Sequence, residues 1–126
     1  MNKEVIVPEG VHKARGYSHA IKVGNAIYVA GQVGVDEGDN IVGGGDCAAQ
    51  ATQAFENLKR VLEAAGASLR DVVKLTIFVK SFDDIGKVRE ARRKYFSDYF
   101  PASTMVVISS LALAELLVEV EAVAVI

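Results

Sequence analysis

The chain has 126 residues, 51% of them hydrophobic and 24% charged, with a net charge of −2 at neutral pH. That length suits one domain, residues 1–126, around one core, and the acidic balance speaks against a general affinity for nucleic acid or an anionic membrane. The lone cysteine, Cys47, excludes an internal disulfide and fits a reducing compartment, so a cytoplasmic location is expected.

Residues 1–8 carry charge and no apolar signal core. Tyr17 to Val23 alternates, with Tyr17, His19, Ile21 and Val23 on one face, and predicts a strand. Gly24-Asn25 is a hairpin turn, and Ala26 to Ala30 returns as a second strand. Gly31 either ends that strand or lets backbone come close to a ligand. Residues 36–45, rich in glycine, form a loop; Gly43-Gly44-Gly45 reads as a connector, since no Lys-Ser or Lys-Thr follows as a phosphate cradle requires.

Ala51, Ala54, Phe55, Leu58, Val61, Leu62 and Ala65 recur at helical spacing, with Asp46 as N-cap and Gly66 at the left-handed C′ position. Gln53, Glu56, Asn57, Lys59, Arg60 and Glu63 fall on the opposite, polar face. The period then switches to two: Val73, Leu75, Ile77 and Val79 point one way, Val72, Lys74, Thr76, Phe78 and Lys80 the other. Ile85, Val88, Ala91, Tyr95 and Tyr99 predict a second helix closed by Pro101, with a basic solvated face. Thr104–Ile108 and Leu117–Val125 complete five predicted strands; in the last, Glu119 and Glu121 share a face opposite Val118, Val120, Ala122 and Ala124. The apolar run 105–118 is broken by Ser109, Ser110 and Glu115 and is too short to cross a bilayer.

Two helices cover one face of a five-stranded sheet, yet several strands are apolar on both faces. Soluble monomers seldom leave such a patch open, so sheet-to-sheet association in a closed homo-oligomer is expected. No metal site is expected, because His12, His19 and Cys47 lack ligand spacing. Glu119 and Glu121 resemble a two-carboxylate site, with Cα atoms about 7 Å apart; a solvated strand face is the alternative. Tyr17 is either packing with a wet tip or part of a site.

Gly16-Tyr17-Ser18, Gly24-Asn25, Val29-Ala30-Gly31-Gln32 and Ala54-Phe55-Glu56-Asn57-Leu58-Lys59 resemble the Rid (YjgF-like) family. So do Glu63-Ala64-Ala65-Gly66-Ala67, Asp71-Val72-Val73-Lys74, Phe100-Pro101-Ala102 and Val118-Glu119-Val120-Glu121-Ala122, in order across nearly the whole chain. The resemblance implies an α/β (α+β) chorismate-mutase-like fold, a mixed five-to-six-stranded sheet with two helices on one face. It further implies a barrel-forming homotrimer with a small-molecule ligand in the inter-subunit cleft, no cofactor and no membrane or nucleic-acid partner. The activity it implies is hydrolysis of enamines and imines such as 2-aminoacrylate to a keto acid and ammonia. Tyr17 would lie beside the pocket, Gly31 where backbone meets the ligand, and Glu119 where water is positioned or activated.

One departure bears on substrate. The deaminating members carry an arginine directly after Pro-Ala, and here Ser103 stands there, followed by Thr104. Neutral hydroxyls contribute about 0.5–1.5 kcal/mol per hydrogen bond against about 1.5–3 for charged donors, a loss of roughly tenfold or more in carboxylate affinity. Arg89 falls where the resemblance places asparagine near the cleft; it either supplies positive charge from another direction or simply faces outward. Three readings follow: an enamine or imine hydrolase with altered substrate, a non-catalytic trimeric metabolite-binding protein, and an endoribonuclease. The last has little support beyond the basic second helix.

Overall fold

The computed structural model describes residues 2–126. Its strands are β1 (Lys3–Ile6), β2 (Ala20–Val23), β3 (Ala26–Val33), β4 (Val72–Val79), β5 (Ala102–Val107) and β6 (Val118–Val125); its helices are α1 (Cys47–Ala64) and α2 (Ile85–Tyr95). One mixed sheet runs in the order β1-β2-β3-β6-β4-β5, antiparallel except for the parallel β4–β5 pair. β1 is a sixth strand that the charged N-terminal stretch did not announce; Lys3, Glu4 and Val5 are exposed, as suits an edge.

α1 forms as its pattern predicts. The Asp46 carboxylate accepts from the amides of Ala48 and Ala49, and Gly66 takes φ +83° just past the helix. Its apolar stripe, with Phe55, Leu58, Val61 and Leu62 wholly buried, packs on β3 and β6 and meets α2 alongside. Asn57 does not join the polar face: it is fully buried with Gln50, two turns earlier on the same stripe. Both amides serve backbone. Asn57 Nδ2 donates to the carbonyls of Val33 and Val35, while Gln50 donates to the Glu115 carbonyl and accepts from the Leu117 amide. α1 thereby holds the end of β3 and the start of β6 in place.

Four other expectations are corrected. β2 begins at Ala20, because the chain bends through Gly16 at φ +81° and leaves Tyr17 in a loop. β3 passes through Gly31 to Val33, with a register shift against β6 between Val29 and Gln32. A second shift, between Val72 and Lys74, swaps the start of β4: Val72 is buried and Val73 exposed, after which Leu75, Ile77 and Val79 face the core as expected. α2 stops at Tyr95, short of Pro101, and Tyr99 instead donates from its hydroxyl to the Val72 carbonyl at 2.6 Å.

The sheet face away from the helices stays uncovered. Tyr28, Phe78, Val106 and Val123 lie on it with Thr76, Glu119 and Glu121, and Tyr28 is 53% exposed.

Candidate functional site

Glu119 is the second residue of β6, paired with Val33 of β3 and Phe78 of β4. Alternation along β6 sends Val118 and Val120 into the core and Glu119 to the open face. Gly31 lies next to it in the irregular part of β3, where a Cβ would overlap the Glu119 carboxylate. The loop before β2 brings Tyr17 to the same place. Tyr17, Gly31 and Glu119 thus line one cavity of about 840 Å³, with Lys13 and Arg15 among its walls and Leu113 and Leu116 closing another side. Arg15 is tied to Asp39 at 3.2 Å, an exposed pair of small energetic weight.

Burial pushes the Glu119 carboxyl above its usual range, and the neighbouring charge of Glu121 adds to the effect. Tyr17 is raised too, first by burial and then by Glu119. Both groups are therefore held toward their protonated forms.

Behind Tyr17 lies a polar chain that the sequence pattern did not disclose. His12 Nε2 is 3.2 Å from the Tyr17 hydroxyl, and His19 donates from Nε2 to the His12 carbonyl at 2.7 Å. That bond leaves His19 Nδ1 as the acceptor for Gln32 Nε2 at 3.1 Å. The rings of His12 and Tyr17 both meet His19 edge-on. Burial, then the proximity of His19, pushes the His12 imidazole below its usual value, so it stands neutral behind the tyrosine. His12 and His19 are both buried, and only the shared strand face of Tyr17 and His19 hinted at their association.

The other predicted site residues lie elsewhere on the chain. Ser103 and Thr104 are on opposite faces of β5. Ser103 is opposite Leu75 on the helix side, and Thr104 is opposite Thr76 on the open side, where it accepts from Lys74 Nζ at 2.6 Å. Arg89 is exposed on α2; the guanidinium that reaches Ser103 is that of Arg92, at 3.4 Å. Neither Ser103, Thr104 nor Arg89 lines the Tyr17 cavity. Cys47 is buried and its thiol pushed up to about 12, chiefly by burial and then by Asp84, so it offers no nucleophile. Among the described residues no three His, Cys, Asp or Glu side chains come together as a metal site, and no helix is long and apolar enough to cross a membrane.

Comparison with known proteins adds an independent line. Residues 9–126 match the family profile described as Endoribonuclease L-PSP. A RutC family protein of Pyrococcus abyssi is 45% identical over 125 residues, covering 98% of each chain. A 2-iminobutanoate/2-iminopropanoate deaminase of Dermatophagoides farinae is 39% identical over 95 residues, 75% of this chain and 74% of that one. The crystal structure of RidA from an Antarctic Psychrobacter superimposes with a TM-score of 0.91 at 35% identity, over 98% of this chain and 99% of that one. The mixed sheet with its two helices is the fold of these relatives, and the chain belongs to the Rid (YjgF, L-PSP) family.

Proposed function

We propose that the protein is an imine or enamine hydrolase of the deaminase type, acting as a homotrimer on a small-molecule ligand held in an inter-subunit cleft. The observation that carries this reading is the convergence of Tyr17, Gly31 and Glu119 on one cavity. The deaminase activity of the Dermatophagoides relative supports the same chemistry. The uncovered face bearing Tyr28, Phe78 and Val106 supports the assembly, since a second and third copy would bury it. The single buried thiol of Cys47 suits a cytoplasmic setting.

Hydrolysis adds water to the C=N carbon and expels ammonia, leaving the keto acid. Glu119, partly desolvated, accepts a proton from the attacking water and returns it to the departing nitrogen. Its raised pKa makes the conjugate acid easier to form and brings the group nearer the working pH than an exposed carboxylate. Tyr17, backed by His12, holds the water or the developing hydroxyl. Lys13 supplies positive charge for a substrate carboxylate, while Arg15 is held by Asp39, which lines the same cavity. Ser103 and Arg89 enter as binding groups contributed across the subunit boundary; Thr104, on the opposite face of β5, does not join Ser103 at one ligand. With Ser103 in the arginine position, the preferred substrate differs from 2-aminoacrylate.

The test is release of keto acid and ammonia from a panel of imines generated in situ by an amino-acid oxidase. Acceleration over the uncatalysed rate, lost in Glu119→Gln, is expected. Saturable binding of the same compounds without acceleration would leave the non-catalytic binding protein, the reading that Ser103 favours. A net charge of −2 offers nothing to the ribonuclease reading.

A further inference from the structure

The direction of the Tyr17 hydrogen bond decides what its oxygen offers to the cavity. A phenol that donates to the group behind it keeps its oxygen lone pairs for the ligand; one that accepts there turns its hydrogen to the ligand instead. The polar chain behind Tyr17 fixes that direction.

His19 is fixed first. A carbonyl only accepts, so the His12 carbonyl takes the hydrogen of His19 Nε2 at 2.7 Å, and His19 Nδ1 accepts from Gln32 Nε2 at 3.1 Å. Gln32 Nε2 also donates to the Ala30 carbonyl, and the Ala30 amide donates to the His19 carbonyl at 2.8 Å. The loop that carries His12 and Tyr17 is thereby tied to both neighbours of Gly31.

His12 takes the other tautomer. Burial and then His19 oppose a second proton on its ring, Asp39 and the Val35 carbonyl offset part of this, and Arg15 opposes it again. The ring therefore carries one hydrogen. Nε2 faces the Tyr17 hydroxyl at 3.2 Å, and Nδ1 is buried without a hydrogen bond of its own. The Val35 carbonyl has two lone pairs, gives one to Asn57 and attracts the His12 hydrogen with the other. With Nε2 turned to Tyr17, that hydrogen rests on Nδ1, and the Nε2 lone pair receives the tyrosine's.

We propose that His12 is a positioning residue: its Nε2 accepts the Tyr17 hydrogen and so presents the Tyr17 oxygen to the cavity as an acceptor. On the imine reading, on which this role rests, Tyr17 accepts a hydrogen bond from one hydrogen of the attacking water. Glu119 takes the other hydrogen as a proton, and the water's lone pair is left for the C=N carbon. A second proton on His12 reverses the bond: Nε2 then donates to Tyr17, whose own hydrogen turns into the cavity against the water's. The charges facing the pair are Glu119, Arg15 and Asp39 in the Tyr17 cavity, and Lys13 and Glu37 in a smaller cavity on the β1 side.

The chain has two histidines, so ring-nitrogen NMR of isotope-labelled histidine resolves both, with His12→Gln identifying its own signals. At neutral pH, His19 is expected as the Nε2–H tautomer and His12 as the Nδ1–H tautomer. His12→Leu leaves in place the backbone carbonyl that holds His19. It should lower kcat for imine hydrolysis by about threefold to tenfold with KM little changed, the weight of one neutral hydrogen bond. His12→Gln, whose side-chain carbonyl accepts from Tyr17 but does not titrate, should recover part of that loss. In acid, log kcat of the natural protein should fall with a slope of about two, one proton on Glu119 and one on His12, and that of His12→Gln with a slope of about one. In a Tyr17→Phe background His12→Leu should cost nothing further. Melting curves confirm that each variant is folded. An Nε2–H tautomer at His12, an unchanged acid slope in His12→Gln, or equal kcat losses from His12→Leu with and without the Tyr17 hydroxyl would each overturn the assignment. A natural protein that hydrolyses no imine would sink the imine reading instead, and the His12 tautomer would still decide the direction of the bond.

Discussion

The Glu119 carboxylate occupies the space that a side chain at Gly31 would need: an added Cβ would overlap Oε2 and lie 2.5 Å from Cδ. Gly31 has an ordinary negative φ, so its lack of a side chain answers to the neighbouring strand and not to backbone strain. Gly31→Ala should therefore swing Glu119 away from the cavity with the fold intact. Displacing a catalytic group by about 1 Å costs about 10²-fold in rate, and overpacking of this kind costs about 1–3 kcal/mol. Gly86→Ala in α2 is the control, since nothing lies within 4 Å of its added Cβ. As an exposed helical glycine it should gain roughly 0.5–1 kcal/mol. Imine turnover and thermal melting of the two variants read the difference; equal turnover by Gly31→Ala and the natural protein would remove Glu119 from the mechanism.

The pH dependence of stability tests the buried setting of Glu119. The folded-state pKa of Glu119 is raised, so the native protein binds more protons than the unfolded chain between the unfolded and folded values. Its contribution to stability is full below the unfolded pKa and is lost as pH rises through the folded one. Above that window the charged carboxylate is a standing cost that Glu119→Gln removes. The variant should therefore be at least as stable as the natural protein at neutral pH while losing turnover, and the advantage should vanish in acid. Glu121→Gln shares the strand face but is exposed and outside the cavity, so turnover should survive. Denaturant midpoints across pH 3–8 check the sign; a Glu119→Gln that is less stable only at neutral pH would contradict it.

Strands and helices with a regular period were legible from the residues; departures from period were not. α1 was readable from Asp46 to Gly66 because cap, stripe and C′ glycine agree. The faces of β6 followed from alternation alone. The start of β4 did not, because a register shift against β6 turns Val72 inward and Val73 out, and nothing local marks it. Asn57 misled for a related reason. Its type suggests solvent, while its burial is compensated by the carbonyls of Val33 and Val35, which are distant in sequence. At the site, Tyr17, Gly31 and Glu119 were named from motifs. The His12–His19–Gln32 chain behind them joins residues whose only common feature is the fold.

Assembly has a direct reading. If the open face closes against other copies, sedimentation should give a compact particle near three times 13.5 kDa. Val106→Glu places a charge among Phe78 and its neighbours on that face, without touching the helix-side core. It should shift the particle toward monomer and abolish imine turnover together with it. A stable, soluble monomer of the natural protein at micromolar concentration would sink the homotrimer and the inter-subunit cleft.

Ser103→Arg tests whether the residue after Pro-Ala sets the substrate. The natural protein should act weakly on 2-aminoacrylate, since the single hydroxyl of Ser103 replaces a charged fork and Thr104 faces the other side of β5. Restoring the arginine should raise turnover by about tenfold or more, seen mainly as a lower KM. The structure adds a complication with a testable sign. Arg92 already reaches Ser103 at 3.4 Å, and Arg93 lines a cavity with both of them where α2 meets β5. A further guanidinium from β5 would crowd two like charges, so the single substitution should lose stability and realise only part of its gain. Arg92→Leu in the Ser103→Arg background removes the repulsion and leaves an apolar stem against Leu75 and Phe96. The double variant should melt higher than Ser103→Arg and turn over 2-aminoacrylate faster, while Arg92→Leu alone gains nothing. Equal, vigorous deamination by the natural protein and both variants would show that neither guanidinium position determines the substrate.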